Sequence, residues 1–268
     1  MKVMRTPYTP TASELADHRI THLPYRDWCP ECVEAFGREA PHRSGSASKP
    51  TWVPVISCDY LFVSARGVFS REEWRPVDPE EKHLKVLVIY DSKSRCLFAH
   101  AVPQKGVDEG RYVVDAFATD IAWLGWSRVI IRSDNEPALV KLVVETLKTL
   151  KVNGIEQAAV EGSVPYDPQS NGAAEMAVGL LKGSLRSLLL GLERQIGAKV
   201  PVTHPLVTWL VRHAAMLRTM RVRGQDGLTA YQRIKGRATS GPTLIGFGER
   251  CRFKKRSKEP ITEASSWR

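Results

Sequence analysis

The chain has 268 residues, 43% of them hydrophobic, with 39 Lys and Arg against 29 Asp and Glu, a formal charge of +10. That supports one substantial core and a small satellite module. No apolar run approaches a membrane span and residues 1–7 lack a signal-peptide core, which argues against a membrane or secreted protein.

The cationic excess favours a polyanionic partner, nucleic acid before membrane. It is concentrated late: between Arg218 and Lys258 there are twelve Lys/Arg and two acidic residues. Five cysteines, only two of them close in sequence, do not make a disulfide framework and fit a reducing compartment, nuclear or cytoplasmic.

Residues 1–17 carry little pattern and are expected to be poorly ordered. In the segment 18–42, His18 and His22 precede Cys29 and Cys32, and His42 lies ten residues beyond. A C-x-x-C pair can pinch a tetrahedral zinc from a tight turn, with histidines as neutral nitrogen ligands. Two ligand sets are open. One is His18, His22, Cys29 and Cys32; the other exchanges His18 for His42, because only six residues separate His22 from Cys29. A redox pair is the competing reading, but its motif should follow a strand of a thioredoxin-like unit, and none is visible. Residues 43–51 are small, polar and rich in breakers, and read as a linker.

Trp52 to Val63 reads as a buried strand with one carboxylate, Asp59, in its middle. Burying an unpaired Asp is costly, so Asp59 either meets a solvent cleft at a strand edge or coordinates a cation. Residues 66–83 form a polar loop or small hairpin. Lys85 to Asp91 and Arg95 to Val102 read as a strand pair around the turn Asp91 to Ser94. Asp91 is therefore a turn residue first and a rival for the acidic site second. Val107 to Leu124 has helical periodicity through Val113, Val114, Phe117 and Ile121, and stops at Gly125. Arg128 to Asp134 is a short apolar strand ending on a carboxylate. Residues 136–151 make the next helix, with Pro137 in its first turn, and residues 155–160 a weaker strand. Strands, then alternating helix and strand, then long helices, give a layered α/β domain.

In the run from Ser163 to Glu175, Pro165, Pro168 and Gly172 punctuate a loop, and Ser170 or Asn171 can cap the helix that follows. Glu175 then falls in its first turn. Met176, Ala177, Leu180, Leu181, Leu185, Leu188 and Leu189 recur so as to bury one face. Lys182 and Arg186 stack on roughly the face of Glu175. A carboxylate beside two cations suits a metal ion with a phosphate nearby, and equally a solvated charged stripe. His204 to Leu217 reads as a further amphipathic helix.

Asp59 in a first strand, Ser133-Asp134-Asn135 ending a later one, and Ser170-Asn-Gly-Ala-Ala-Glu175 opening a helix resemble the catalytic core of retroviral and retrotransposon integrases, copia-type elements above all. The resemblance covers roughly residues 18–256. It implies a ribonuclease H-like core, a mixed five-stranded sheet flanked by helices, over residues 52–225. It also implies a small N-terminal zinc-binding module over 18–42 and a basic, truncated DNA-binding segment over 226–268. Carried onto this chain, the D,D,E triad is Asp59, Asp134 and Glu175, holding two Mg²⁺ or Mn²⁺ ions. The 41 positions from Asp134 to Glu175 exceed the family's usual interval and place an insertion in the loop before the helix.

Three carboxylates sharing two hard cations suit in-line attack on a phosphodiester by water or by a DNA 3′-hydroxyl. The resemblance thus implies 3′-end processing and strand transfer of DNA. Lys182, Arg186, Gln169 and Asn171 would touch DNA near Glu175, and Arg252, Lys254, Lys255 and Arg256 would add salt-sensitive affinity. Lys254 to Arg256 read equally well as a nuclear-import signal or a frayed tail. The implied partners are DNA, further copies of the chain assembled on it, and polyprotein neighbours such as reverse transcriptase and protease, with no membrane. Two other readings stay open: a ribonuclease H-like nuclease that only hydrolyses, and an element-derived protein that binds nucleic acid without turnover.

Overall fold

Ten consecutive buried residues, Val55 to Ser64, form the strand around which the protein is built. The structure, a computed structural model, describes residues 8–36, 53–78, 80–152, 155–162, 168–239 and 245–249. Two short helices come first, α1 (Ala12–Thr21) and α2 (Pro30–Phe36). The strands β1 (Val55–Ser64), β2 (Gly67–Ser70), β3 (His83–Asp91) and β4 (Leu97–Val102) follow. After them come α3 (Tyr112–Leu124), β5 (Arg128–Ser133), α4 (Pro137–Val152), β6 (Gln157–Gly162), the long α5 (Pro168–Ile196), α6 (Pro205–Arg221) and α7 (Ala230–Lys235). Among the described residues no helix is long and apolar enough to cross a membrane.

The sheet runs β4-β3-β1-β5-β6, with β2 paired to the far end of β1. β1, β3 and β4 are antiparallel neighbours, whereas β5 and β6 join β1 in parallel through helical crossovers. This is the expected ribonuclease H-like core, with β2 making the sheet six-stranded. The central strand reads as an unbroken apolar run because both of its faces are covered. Ile56, Cys58, Tyr60 and Phe62 pack with Val113, Phe117 and Ile121 of α3 and Leu139, Leu142 and Val143 of α4. Leu61 and Val63 face the other way, into a cluster with Ala177, Leu181 and Leu185 of α5 and Leu210, Val211 and Ala214 of α6. Side chains alternate along a strand, so Asp59 shares the α5 side of the sheet with Leu61 and Val63.

Three sequence expectations change. Order begins within the 1–17 stretch: Thr11 and Glu14 form a reciprocal capping box that starts α1 at Ala12. The core does not end at residue 225. Ala230 of α7 is buried in it, and Arg233 donates to the Ser94 carbonyl at 3.0 Å. α5 starts at Pro168, so Ser170 and Asn171 lie inside the helix rather than capping it, and Glu175 stands in its third turn. Proline needs no N–H partner at a helix start and its φ suits that position. The linker 43–51 lies outside the described residues.

α1 and α2 are docked on α5. Gly183 leaves the space into which Phe36 fits, since a Cβ there would stand 2.1 Å from its ring. Gly191 does the same for the His22 ring, at 2.9 Å. Arg194 closes the contact with Glu31 at 2.6 Å and Glu34 at 2.8 Å.

Candidate active site and metal centre

The four N-terminal ligands meet. His18, His22, Cys29 and Cys32 are all buried, and one ligand atom from each lies within 4.8 Å of the others. His18 Nε2 is 3.2 Å from Cys32 Sγ, and His22 Nδ1 is 3.4 Å from Cys29 Sγ and 3.9 Å from Cys32 Sγ. Bonds of about 2.0–2.3 Å to zinc give tetrahedron edges of about 3.3–3.8 Å, so the spacing fits that ion.

The chain manages the short gap because His22, at the C-cap of α1, adopts left-handed φ 53° and turns it straight back. Of the two ligand sets, the structure assembles the one containing His18; His42 lies outside the described residues. Burial, followed by the charge of His22, pushes His18 down to about 4, which keeps the imidazole in its neutral, ligating form. Burial pushes the Cys29 thiol up to about 12. The thiolates a zinc site needs therefore depend on the cation itself.

Of the acidic triad only Glu175 lies on α5; Asp59 is on β1 and Asp134 directly follows β5. β1 and β5 run parallel with Cys58 level with Ser133 as their last registered pair. Asp59 and Asp134 are the residues that follow, one step on in each chain. Asp59 is buried and takes its own neighbour's N–H, from Tyr60, at 2.7 Å. Asp134 is half-buried and accepts from the Asn135 N–H at 2.7 Å. Glu175, on α5, is exposed to solvent.

Their charges act on one another through Asp134. Burial raises Asp59 to about 6, opposed by the Tyr60 N–H and Arg71 and reinforced by Asp134 and Glu136. Glu175 is raised by burial and by the charges of Glu72 and Asp134. Asp59, Asp134 and Glu175 are thus linked by the charge of Asp134. They are not gathered as the zinc ligands are, for among the described residues only the His/Cys group brings its ligand atoms that close.

A cation stands beside Asp134. After β2 the chain turns at Ser70 to Glu73, where Glu73 accepts from the Ser70 N–H at 2.9 Å and Trp74 N–H donates to the Ser70 carbonyl at 3.0 Å. Trp74 stacks on Phe62, 5.4 Å between ring centres. This anchored turn aims Arg71 at the acidic rim. Its guanidinium pairs with Asp134 and, at 3.1 Å, with Glu136. Lys105 reaches Glu136 from the other side at 2.7 Å. Arg71, Lys105, Asp134, Asn135 and Glu136 line an open cleft there.

None of Arg71, Lys105, Glu72 and Glu136 stands out in the sequence reading. The available signals were the capping-box pattern Ser70-x-x-Glu73, which fixes the turn, and a second carboxylate two residues past Asp134.

Other expected residues fall elsewhere. Lys182 is buried and its Nζ is held by Glu73; Arg186 donates to the Val68 carbonyl at 2.8 Å. The shared helix face is as expected, but both residues clasp the β2 hairpin instead of standing open to phosphate, because that hairpin folds over their side of α5. Asp91 is a turn residue, fully buried and accepting from the Lys93 and Ser94 N–H groups and from Trp126 Nε1 at 3.0 Å. The side chains of Gln169 and Asn171, and all of Arg252, Lys254, Lys255 and Arg256, lie outside the described residues.

No protein-family model matches this sequence, and no curated protein does. Solved structures are similar in outline. One is a chain of the simian T-cell lymphotropic virus intasome in complex with PP2A regulatory subunit B56 gamma. It is 16% identical with a TM-score of 0.48, over 90% of this chain and 75% of that one. Another is the HTLV-2 integrase catalytic core domain in complex with magnesium, in its trimeric form, 15% identical with a TM-score of 0.44 over 69% of this chain and 99% of that one. The dimeric form of the same domain is 15% identical with a TM-score of 0.42, over 66% and 92%. At such identities and scores these likenesses carry no functional weight.

Proposed function

We propose that the chain is an integrase-type polynucleotidyl transferase that trims DNA 3′ ends and joins them to target DNA, working as a homo-oligomer on its substrate. One observation supports this reading: Asp59 and Asp134 each follow the last registered pair of the parallel strands β1 and β5, and the charge of Asp134 bears on both Asp59 and Glu175 of α5. The donor set is all oxygen, which fits Mg²⁺ or Mn²⁺ rather than a soft metal. Asp59, Asp134 and Glu175 would hold the ions, which when bound activate the attacking oxygen and stabilise the leaving one.

The chain's own part is placement. The Tyr60 and Asn135 N–H groups orient two of the carboxylates, and Glu175 is exposed to solvent, where a DNA strand would reach it. Exposed basic residues of the late stretch, Arg221 and Arg223 among them, would add sequence-independent affinity that weakens with salt.

The test is strand transfer of a labelled donor oligonucleotide into plasmid with Mg²⁺ or Mn²⁺. Glu175→Gln is expected to keep the fold and DNA binding. Its turnover should drop by more than the roughly 10–100-fold typical of losing a mere outer partner of a metal ligand. Hydrolysis without joining would leave a nuclease. DNA binding with no cleavage would leave the binding protein, the reading favoured by Arg71 lying against Asp134 and Glu136.

A further inference from the structure

We infer that Arg71 is the resident counter-cation of the acidic site, a positioning residue that holds Asp134 and Glu136 until a divalent ion displaces its guanidinium. The inference rests on the metal-site reading above and deepens it. Like charges gathered where β1 and β5 stop pairing repel one another unless a cation intervenes, and the cation in place is this side chain. It touches two carboxylates at once, and its charge also bears on Asp59.

The geometry separates the residue that moves from the support that stays. Ser70, Glu73 and Trp74 fix the turn by backbone bonds and by the stack on Phe62, and Lys182 pins Glu73 to α5. The Arg71 side chain is 30% exposed, so it has solvent to swing into without disturbing that turn. Lys105, on the far side of Glu136, remains as its partner when Arg71 leaves. An ion entering the site therefore competes with Arg71 for Asp134, and its apparent affinity is reduced by the strength of that contact.

The experiment is titration of Mn²⁺ into the zinc-loaded full chain, read by the paramagnetic resonance of free Mn²⁺, for the wild type, Arg71→Ala, Arg71→Gln and Asp134→Asn. Arg71→Gln keeps a side chain of similar length without the charge and guards against a local collapse in the alanine variant. Both Arg71 variants are expected to bind Mn²⁺ about five- to tenfold more tightly, as loss of a competing ion pair worth about 1 kcal/mol implies, and Asp134→Asn to lose binding. If Asp134→Asn loses Mn²⁺ while both Arg71 variants bind it no better than the wild type, the counter-cation role is overturned and the metal site stands. If Asp134→Asn binds as the wild type does, or none of the four proteins binds, the metal-site reading falls and takes this inference with it.

Discussion

Two clusters of candidate metal ligands, one in the α1–α2 module and one drawn from β1, the end of β5 and α5, have been treated by folding in opposite ways. The His/Cys cluster draws all four ligands from a fifteen-residue stretch, buries each, and brings their ligand atoms within 4.8 Å. The acidic cluster draws Asp59, Asp134 and Glu175 from far apart in the chain, leaves Glu175 exposed, and fills the space beside Asp134 with Arg71. Neutral imidazoles and protonated thiols can be packed together without a metal. Carboxylates near neutral pH cannot, unless a cation is supplied. The first cluster is thus shaped to close round an ion, and the second, under the proposed function, to take one up in place of Arg71.

The largest effect expected from this contrast is at Cys32. The α1–α2 module has little core of its own, and zinc binding in such small units contributes about 10–16 kcal/mol. Cys32→Ser should abolish stoichiometric zinc and open residues 8–36 to proteolysis while the core sheet stays folded. Metal analysis with limited digestion reads both. A zinc-free variant whose N-terminal segment stays protected would mean that packing on α5 alone holds the module.

The acidic site should respond to pH instead. Asp59 titrates near 3.8 when unfolded and near 6 in the fold. Between those values the folded state holds the extra proton, so stability falls as pH rises, and the loss is complete above about 6. In zinc-loaded protein free of Mg²⁺ and Mn²⁺ the loss approaches about 3 kcal/mol at most. Asp59→Asn should flatten the stability–pH curve over that range, and added Mn²⁺ should recover the wild type at pH 7. An unchanged curve in the variant would show that another group sets the dependence.

The sequence made these two sites legible to different depths. Asp59 and Asp134 were readable because each interrupts or ends an apolar run, and a lone carboxylate in such a run calls for an explanation. The zinc ligands were readable as types, but the choice between His18 and His42 turned on the left-handed backbone at His22, which spacing does not reveal. Arg71 was not readable at all. Its partners lie 63 and 65 residues on, and the contact exists only because the hairpin after β1 folds back over the rim. The contacts of Lys182 and Arg186 were hidden for the same reason: helical spacing gave their face but not the hairpin that packs on it.

Between the clusters lies the docking contact, and Gly183 tests whether it binds them into one unit. A methyl group at 183 would collide with Phe36, and overpacking of this kind costs about 1–3 kcal/mol. Gly183→Ala should lower the thermal midpoint and raise proteolysis of residues 8–36, with zinc content kept, since no ligand is touched. Equal melting of variant and wild type would mean the module rides loosely on the core.

The smallest effect is at Lys182, and it decides between an anchor and a DNA contact. Lys182 is buried and Glu73 half-exposed, so their ion pair contributes on the order of 1 kcal/mol or less. Lys182→Met replaces the charge by a chain of similar volume and should be nearly neutral, whereas Glu73→Gln leaves a buried ammonium without its partner and should cost more. A phosphate contact would behave otherwise: its removal should weaken DNA binding across all sequences and reduce the slope of log affinity against log salt by about one. The structure predicts no change in that slope for Lys182→Met. It predicts instead a small rise in Mn²⁺ affinity for Glu73→Gln, because the turn that presents Arg71 to Asp134 loses its tie to α5.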